Sequence, residues 1–400
     1  MVDSLPRTIQ GPPFAQTPAL EGVINLGLGQ PSPGLLPLPA LAEAAARTLG
    51  AGSDPLLLQY GFMRGYAGVR EALAAFLTRE YRYPVAPEEL MITGGNSMAL
   101  SFASQVFARA GGRVVCEDPT YFLAHGILAN PGQGLEVVGV PVDDEGLDLD
   151  ALEQLLAEGP VEFVYCIPNF HNPTGVCLSP DRAARLVALA QRHDFVILAD
   201  EPYGMLYHGE APPPCMVSHE RGEGRVLSLG SFSKILGPGL RLGWAHGHPD
   251  LIARMASHGS VRSGGGLNPV ISALVHDTID GGFLAEHVAG LRATFASRAA
   301  ALTRALREHL PRARFLAPTG GYFVWLDLEP ELREVEASVG VGTAAWAAAL
   351  SAARVQCTQG SRCAVTRALD RHVRLCFAFY EEDELEEGVR RLARALEDLR

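Results

Sequence analysis

The chain has 400 residues, of which 48% are hydrophobic and 20% are charged, and its formal net charge is −12 at pH 7. This length and composition are typical of a globular protein with two domains. The acidic balance argues against nucleic acid or an anionic membrane surface as the main partner. The seven scattered cysteines form no CxxC pair, residues 1–10 lack the apolar core of a signal peptide, and no segment approaches a membrane span. We therefore expect reduced thiols, no bound metal and a cytoplasmic location.

The first part of the chain, to residue 109, predicts an arm, two short strands and three helices. Residues 1–22 are rich in proline without periodicity, so we expect an arm that lies on another part of the molecule. Residues 24–31 predict a short strand that ends in glycines, including Gly29, and helices are predicted at 38–49 and 68–81, with Tyr60 between them. Residues 89–93 predict a strand that leads through a glycine turn into an apolar helix.

This glycine turn is a candidate anion site. It places Gly95, Asn96 and Ser97 at the start of the helix that runs to residue 109. The free N–H groups and the positive end of a helix dipole point to one place there, which suits a bound anion.

From residue 114 onward, apolar strands alternate with helices, as in a mainly parallel sheet. Strands are predicted at 114–117, 137–142, 162–168 and 195–199, and a helix at 181–193. Polar or aromatic side chains follow three of these strands: Tyr121, then Asn172, then Asp200 with Tyr203. Nothing structural requires a carboxylate such as Asp200 at the end of an apolar strand. Open α/β sheets bind ligands at the carboxyl ends of their strands, so these side chains are candidate site residues.

Lys234 is the only lysine in the chain. It follows the apolar run 226–229, together with Ser231 and Ser233, and Arg241 lies beyond a Gly-Pro-Gly turn. A lysine amine can lose its proton near neutral pH and attack a carbonyl, which arginine does not do. Two hydroxyls, an amine and a guanidinium within eleven residues suit an aldehyde cofactor that carries a phosphate.

The C-terminal part changes to a shorter α+β pattern. After a closing strand at 243–247 come a glycine-rich loop at 261–269 and a helical stretch from about 269 to 309. Strands are then predicted at 321–327 and 372–377, and helices near 343–353 and at 381–399. Arg374 alternates with the apolar residues of the last strand and so lies on its opposite face. A guanidinium there suits a carboxylate ligand.

The motif Ser-Phe-Ser-Lys…Gly-Leu-Arg-Leu-Gly-Trp, residues 231–244, resembles the cofactor-lysine motif of class I/II aminotransferases, the pyridoxal-phosphate (PLP) enzymes of fold type I. The other motifs of that family occur here in the same order over almost the whole chain. The resemblance implies an α/β fold whose large domain has a mainly parallel seven-stranded sheet sandwiched by helices, and a smaller α+β domain. It divides the chain into residues 1–49 (arm and part of the small domain), 50–285 (large PLP-binding domain) and 286–400 (small C-terminal domain).

The resemblance also implies roles for the candidate residues. Lys234 would form a Schiff base with PLP, and Asp200 would hold the protonated ring nitrogen. The remaining cofactor-binding residues would be Gly95, Asn96, Ser97, Tyr121, Asn172, Tyr203, Ser231, Ser233, Arg241 and, from the neighbouring subunit of a homodimer, Tyr60. Arg374, with Asn172 and Gly29, would bind the substrate. The enzyme would move an amino group between an L-amino acid and a 2-oxo acid.

Two departures from the family pattern affect the substrate. Ser97 stands where many relatives carry glutamine, and the glycine-rich loop at 264–268 differs from that of the best-known amino-acid aminotransferases. The same motifs serve specialised biosynthetic PLP enzymes that eliminate, oxidise or form C–C bonds, which is the first alternative. Arg64 and Arg262 lie beside glycine-rich segments and are candidates for selecting the substrate side chain.

Two hypotheses come from other classes. Gly95-x-Ser97-x-Ala99 approaches the nucleophile elbow of serine hydrolases, in which Ser97 would act with Asp200 and either His208 or His246. That hypothesis leaves Lys234 and Arg241 unexplained. The second is a transcription factor with an aminotransferase-like domain, against which the acidic charge and the lack of a preceding basic winged-helix segment argue.

Overall fold

The computed structural model describes residues 20–332 and 341–399, so most of the predicted N-terminal arm lies outside the described residues. The described strands are β1 (Ile24–Asn25), β2 (Leu90–Thr93), β3 (Arg113–Asp118), β4 (Glu136–Asp143), β5 (Gly146–Leu147), β6 (Phe163–Cys166), β7 (Val196–Asp200), β8 (Val226–Ser231), β9 (Gly243–Gly247), β10 (Phe323–Asp327), β11 (Val355–Gln356), β12 (Thr358–Gln359) and β13 (His372–Cys376).

The described helices are α1 (Leu38–Thr48), α2 (Ala67–Tyr81), α3 (Asn96–Phe107), α4 (Phe122–Leu128), α5 (Leu149–Glu158), α6 (Pro180–His193), α7 (Pro249–Ala256), α8 (Gly259–Gly264), α9 (Pro269–Asp280), α10 (Phe283–His309), α11 (Ala344–Ala352) and α12 (Glu382–Glu397). None of them combines the length and the apolar character that crossing a membrane requires.

The central sheet has the strand order β2-β9-β8-β7-β6-β3-β4-β5. Strands β8, β7, β6, β3 and β4 are parallel neighbours, β9 runs antiparallel to both β2 and β8, and β5 is antiparallel to β4. The predicted mainly parallel sheet is confirmed. Its eighth strand is a two-residue addition, because a tight turn with Gly146 at φ +97° folds the chain back on β4.

Helices cover both faces of this sheet. Val114 and Cys116 of β3 pack in an apolar cluster with residues of α3, α4 and α7. Val115, which lies between them, packs in a second cluster with residues of α5 and α6. Because successive side chains of a strand point to opposite faces, the continuous apolar strand sequences match a sheet that is buried on both sides.

The C-terminal elements form two smaller sheets. Strands β10, β13 and β12 are antiparallel, and β1 pairs in parallel with β11. A third apolar cluster contains both Leu73 of α2 and Leu302 of α10. This cluster joins elements from both sides of residue 285, so the domain boundaries at residues 49 and 285 stay predictions.

Two predictions about the stretch from 259 to 309 were wrong in detail. The helical stretch after residue 269 is two helices, α9 and α10, since Gly281 and Gly282 interrupt it and Gly282 has φ +77°. The glycine-rich loop begins as the short helix α8, in which the His258 side chain accepts a hydrogen bond from the backbone N–H of Ser260. Val261 is buried there, which holds the helix against the core.

Candidate active site

Lys234 lies just beyond the carboxyl end of β8. The turn before it is held by a 3.1 Å hydrogen bond from the Ser233 backbone N–H to Ser231 Oγ. Lys234 Nζ donates to the Gly29 carbonyl oxygen at 2.7 Å and lies 5.2 Å from the centre of the Tyr322 ring. Removal from water lowers the pKa of the Lys234 amine to about 8. Near neutral pH a useful fraction of this amine is therefore uncharged and nucleophilic.

Asp200 ends strand β7 on the same edge of the sheet and is buried. Its Oδ2 accepts a hydrogen bond from the Tyr165 hydroxyl at 2.7 Å, and its Oδ1 accepts one from Asn96 Nδ2 at 2.5 Å. Burial raises the pKa of Asp200, while the Tyr165 and Asn96 hydrogen bonds lower it. The net pKa is raised, so these two donors stabilise the ionised carboxylate only in part against the effect of burial.

The glycine turn and Arg241 converge at the start of helix α3. Gly95 has φ +89°, a backbone conformation that favours glycine, and α3 begins at the next residue. Arg241 Nη2 donates to the Gly94 carbonyl oxygen at 3.3 Å, and a Cβ placed on Gly95 would lie 3.4 Å from the same nitrogen. The helix N-terminus and the guanidinium thus face one small volume, an arrangement that suits a phosphate.

Arg374 is a buried guanidinium without a carboxylate partner among residues 20–332 and 341–399. Its Nη1 donates to Asn172 Oδ1 at 2.8 Å, and its Nη2 donates to the Gly27 carbonyl oxygen at 3.0 Å and Thr358 Oγ1 at 3.2 Å. Its buried Nε has no hydrogen-bond partner in the same described part of the chain. A buried charge is stable only when it is paired, so this geometry favours an anionic ligand.

Gly29 lies between Lys234 and Arg374. Its carbonyl oxygen accepts the hydrogen bond from Lys234, and a Cβ placed on it would lie 3.6 Å from Arg374 Nη2 and 3.2 Å from the Phe323 ring. Any larger residue would occupy the space between the amine and the guanidinium.

Two predicted tyrosines lie at the same edge. Tyr121 comes directly before α4, and burial, with a smaller contribution from Asp200, raises its pKa to about 12. Tyr203 is buried against the rings of Tyr322 and Phe323, with centroids 5.3 and 5.8 Å away. Both rings therefore contribute aromatic walls near Asp200 and Arg374.

The loop that carries Asn172 is anchored by a buried contact between His171 and Glu117. His171 Nε2 lies 3.0 Å from Glu117 Oε2, and both side chains are almost completely buried. The same carboxylate oxygen accepts a hydrogen bond from the Ile167 backbone N–H at 2.8 Å. These contacts tie the loop to the end of β3 and so help to hold Asn172 against Arg374.

Sequence reasoning missed two residues of this site and misplaced the side chain of a third. Tyr165 sits inside an apolar strand and looked like an ordinary core residue, whereas its hydroxyl meets Asp200. Tyr322 donates its hydroxyl proton to the Lys234 carbonyl oxygen at 3.1 Å. The Asn96 side chain points to Asp200 rather than to the anion site, although its backbone starts helix α3.

The remaining predicted residues lie outside this group. Tyr60 is 85% exposed, and its neighbour Gly61 packs on the glycine-rich loop, where a Cβ on Gly265 would lie 1.9 Å from the Gly61 carbonyl oxygen. Arg64 donates to the Glu88 carbonyl oxygen at 3.1 Å, at the opposite end of β2 from Gly95. Arg262 is exposed on α8.

The serine hydrolase hypothesis was wrong. Ser97 is exposed and makes no hydrogen bond to a histidine within the described residues. His246 is paired with Leu90, at the far end of β2, and the His208 ring packs beside Phe377. Asp200 is held by Asn96 and Tyr165, so no triad forms.

Comparisons with known proteins agree with this geometry. The family model "Aminotransferase class I and II" matches residues 21–392. The chain is 34% identical to aromatic-amino-acid aminotransferase 1 of Thermococcus litoralis over 94% of this chain and 88% of that protein. It is also 34% identical to 2-aminoadipate transaminase of Thermus thermophilus, over 94% of this chain and 91% of that protein.

Among solved structures, the α-aminoadipate aminotransferase of Thermus thermophilus, complexed with N-(5′-phosphopyridoxyl)-L-leucine, superposes with a TM-score of 0.82. Its sequence identity is 32%, and the match covers 95% of this chain and 93% of that one. The chain therefore belongs to the class I and II aminotransferase family and is a PLP-dependent aminotransferase of fold type I.

Proposed function

We propose that this aminotransferase attaches PLP covalently at Lys234 and transfers amino groups between an L-amino acid and a 2-oxo acid at the edge formed by β7, β8 and β9. The observation that carries this proposal is the position of the chain's only lysine: its amine, with a pKa of about 8, hydrogen-bonds to Gly29 next to the buried Arg374.

The residues present fit the cofactor. Asp200 offers a buried carboxylate for a protonated ring nitrogen, and the start of α3 with Arg241 offers a phosphate site. Asn172 has its carbonyl oxygen on Arg374, which leaves its amide N–H groups for the ring oxygen. Ser97, Ser231, Ser233, Tyr121 and Tyr203 complete the proposed binding site.

When bound, PLP supplies an aldehyde carbon that reacts with amines and a ring that accepts electrons from Cα. Arg374, whose buried Nε has no partner among the described residues, would bind the substrate α-carboxylate and so orient Cα. The Lys234 amine would take the proton from the substrate Cα and later give it back. Asp200 would hold the ring nitrogen in its protonated form and so stabilise charge that develops during the reaction.

The relatives' names suggest two kinds of substrate. One relative is named for aromatic amino acids and the other for 2-aminoadipate, whose side chain ends in a carboxylate. We infer that this enzyme accepts L-amino acids with side chains of comparable length. Gly29, where a Cβ would lie 3.6 Å from Arg374 Nη2, keeps the space beside Arg374 open for a substrate.

A homodimer with shared active sites is also proposed. Large exposed apolar side chains concentrate in one stretch of the chain, at Leu36, Leu38, Leu49, Leu56, Leu58, Tyr60, Phe62 and Met63. Such a concentration is typical of a surface that a partner covers. Tyr60 and the loop at 264–268 would cross this interface, with the Tyr60 hydroxyl reaching the partner's phosphate site.

The seven unpaired thiols support a cytoplasmic location.

The assignment of Lys234 is tested by borohydride reduction of the purified protein with PLP. We expect reduction to fix the cofactor to the peptide that contains residue 234, as seen by mass spectrometry, and the Lys234→Arg variant to retain its fold by circular dichroism but lose turnover and the label. The reason is that arginine keeps the positive charge but provides no nucleophilic amine. Full activity in Lys234→Arg would contradict the assignment.

A further inference from the structure

Arg362 lies close to the proposed substrate site on a side that the assigned residues do not use. It belongs to the turn Gly360–Cys363, between β12 and β13. Its guanidinium carbon is 4.5 Å from the centre of the Phe122 ring. The same ring is 5.8 Å from the guanidinium carbon of Arg374 and 5.6 Å from the Tyr121 ring. Phe122 thus connects Arg362 to the residues that would hold the cofactor and the α-carboxylate.

The Arg362 guanidinium is exposed and has no ion pair or hydrogen bond within residues 20–332 and 341–399. The nearby carboxylate of Asp118 is already used, because it accepts hydrogen bonds from the backbone N–H groups of Val365, Thr366 and Arg367. A guanidinium that rests on an aromatic face keeps its N–H donors available for an anion.

The turn that carries Arg362 is fixed relative to Tyr121. The Thr120 backbone N–H donates to the Cys363 carbonyl oxygen at 2.8 Å, and Asp118 holds the residues that follow. Burial raises the pKa of the Cys363 thiol to about 11, and the charges of Arg374 and Arg362 oppose this rise. Both guanidiniums therefore lie near enough to Cys363 to influence its thiol, which places them on the same side of the site.

The distances to the shared Phe122 ring set an upper limit on the separation of the two arginines. Their distances from the shared Phe122 ring, 4.5 and 5.8 Å, place the guanidinium carbons no further apart than 10.3 Å. An amino acid with a few methylene groups between its carboxylates spans such a gap when each carboxylate meets one guanidinium.

We propose that Arg362 is a specificity-determining residue that binds the side-chain carboxylate of dicarboxylic amino acids and their 2-oxo acids, while Arg374 binds the α-carboxylate. This proposal rests on the proposed function, since it assumes that Arg374 receives the substrate. A side chain without a carboxylate leaves Arg362 in water over Phe122, so apolar substrates lose nothing from its removal.

The test compares Arg362→Gln, which removes the charge, with Arg362→Lys, which keeps it. We expect kcat/KM for L-glutamate and L-2-aminoadipate to fall by about tenfold or more in Arg362→Gln and by less in Arg362→Lys, because lysine keeps the charge but loses the bidentate geometry. The values for L-leucine and L-phenylalanine should stay within about twofold of wild type. Arg304→Gln, which changes an exposed arginine on α10, is the matched control and should change none of these values.

A binding measurement separates this proposal from the proposed function. Glutarate has two carboxylates and no amine, so it binds without reacting, and its Kd by calorimetry should rise in Arg362→Gln, whereas the Kd of butyrate should not. Loss of all amino transfer in wild type would overturn the proposed function but leave the glutarate result interpretable. Equal losses for glutamate and leucine, an unchanged glutarate Kd, or a loss confined to phenylalanine would each overturn the role of Arg362.

Discussion

Asn96 combines two tasks at one position. Its backbone begins helix α3, where free N–H groups face the proposed phosphate site, and its side chain donates to Asp200 Oδ1. The same Nδ2 donates to the Leu229 carbonyl oxygen at 2.9 Å, which holds the amide in place across β8. Asn96 therefore links the two ends of the proposed cofactor site, and we regard it as a positioning residue for Asp200.

Removing the Asn96 amide should reduce catalysis more than stability. We expect kcat of Asn96→Ala to fall by about tenfold to a hundredfold, since a hydrogen bond to a charged group contributes roughly 1.5–3 kcal/mol. The hydrogen bond from Asn96 lowers the pKa of Asp200, so the pKa of Asp200 should be higher in the variant. As the pH falls, the variant should therefore lose activity at a higher pH than the wild type does. The kcat–pH profile and thermal unfolding measure both effects.

Ser101→Ala, in the same helix, is the control for Asn96→Ala. Within the described part of the chain the side-chain oxygen Ser101 Oγ meets only Gln105, so the effect of this change on kcat should be small. An Asn96→Ala profile that superimposes on the wild-type profile would show that the amide does not position Asp200.

At the scale of elements, hydrogen bonds connect Asp118, at the end of β3, to residues 365–367, which lie between Cys363 and β13. Asp118 accepts hydrogen bonds from Val365, Thr366 and Arg367 N–H groups at 2.9, 2.9 and 3.0 Å, and from Thr366 Oγ1 at 2.8 Å. It is completely buried. One carboxylate therefore fastens a C-terminal segment to the central sheet, directly beside Tyr121.

Asp118→Asn should destabilise the protein by roughly 2–4 kcal/mol, because an amide NH₂ replaces one acceptor oxygen and faces a buried N–H donor. We expect a lower Tm, faster hydrogen exchange at 361–367 and a higher KM for dicarboxylic amino acids, since the turn with Arg362 loosens. Differential scanning calorimetry and exchange mass spectrometry provide the measurements.

Asp144→Asn makes the same chemical change at an exposed position and should alter stability by no more than about 0.5 kcal/mol. Equal stability of the Asp118 and Asp144 variants would contradict the anchoring role of Asp118.

At the scale of the whole molecule, the exposed apolar stretch around Tyr60 supports an assembly of two chains. Gly61 and Phe62 pack so closely on the loop at 264–268 that a Cβ on Gly266 would lie 2.1 Å from the Phe62 carbonyl oxygen. Asn268 Nδ2, from that loop, donates to the Arg241 carbonyl oxygen at 3.0 Å. The stretch and the loop thus form one surface that is connected to the proposed phosphate site.

Mixing two inactive variants tests the shared sites. In a hybrid dimer of Lys234→Ala with Tyr60→Ala, one site combines an intact Lys234 with an intact Tyr60, so random exchange should restore about one quarter of the wild-type sites. Light scattering should show a dimer, and activity should return only after the two proteins have exchanged subunits. Mixing two different Lys234 variants is the control and should restore nothing. A fully active monomer would contradict the shared site.

Much of the site could be predicted because local patterns determine the ends of strands. Apolar runs placed Asp200 at the end of β7 and Lys234 just after β8, and parallel strands bring their carboxyl ends to one edge. The alternation in β13 likewise predicted a separate face for Arg374, which the structure shows to be buried beside Asn172. These features depend on residues within a few positions of each other, so the sequence by itself determined them.

Only the tertiary structure decided where the long-range donors point. Asn96 and Asp200 are 104 residues apart, and Arg374 and Gly27 are 347 residues apart, yet each pair shares a hydrogen bond. Arg64 looked suited to a ligand because of its glycine neighbour, but its guanidinium reaches the Glu88 carbonyl oxygen instead. A side chain's hydrogen-bond partner depends on which distant segments the packed core brings within about 3 Å. A local sequence pattern does not predict such long-range contacts.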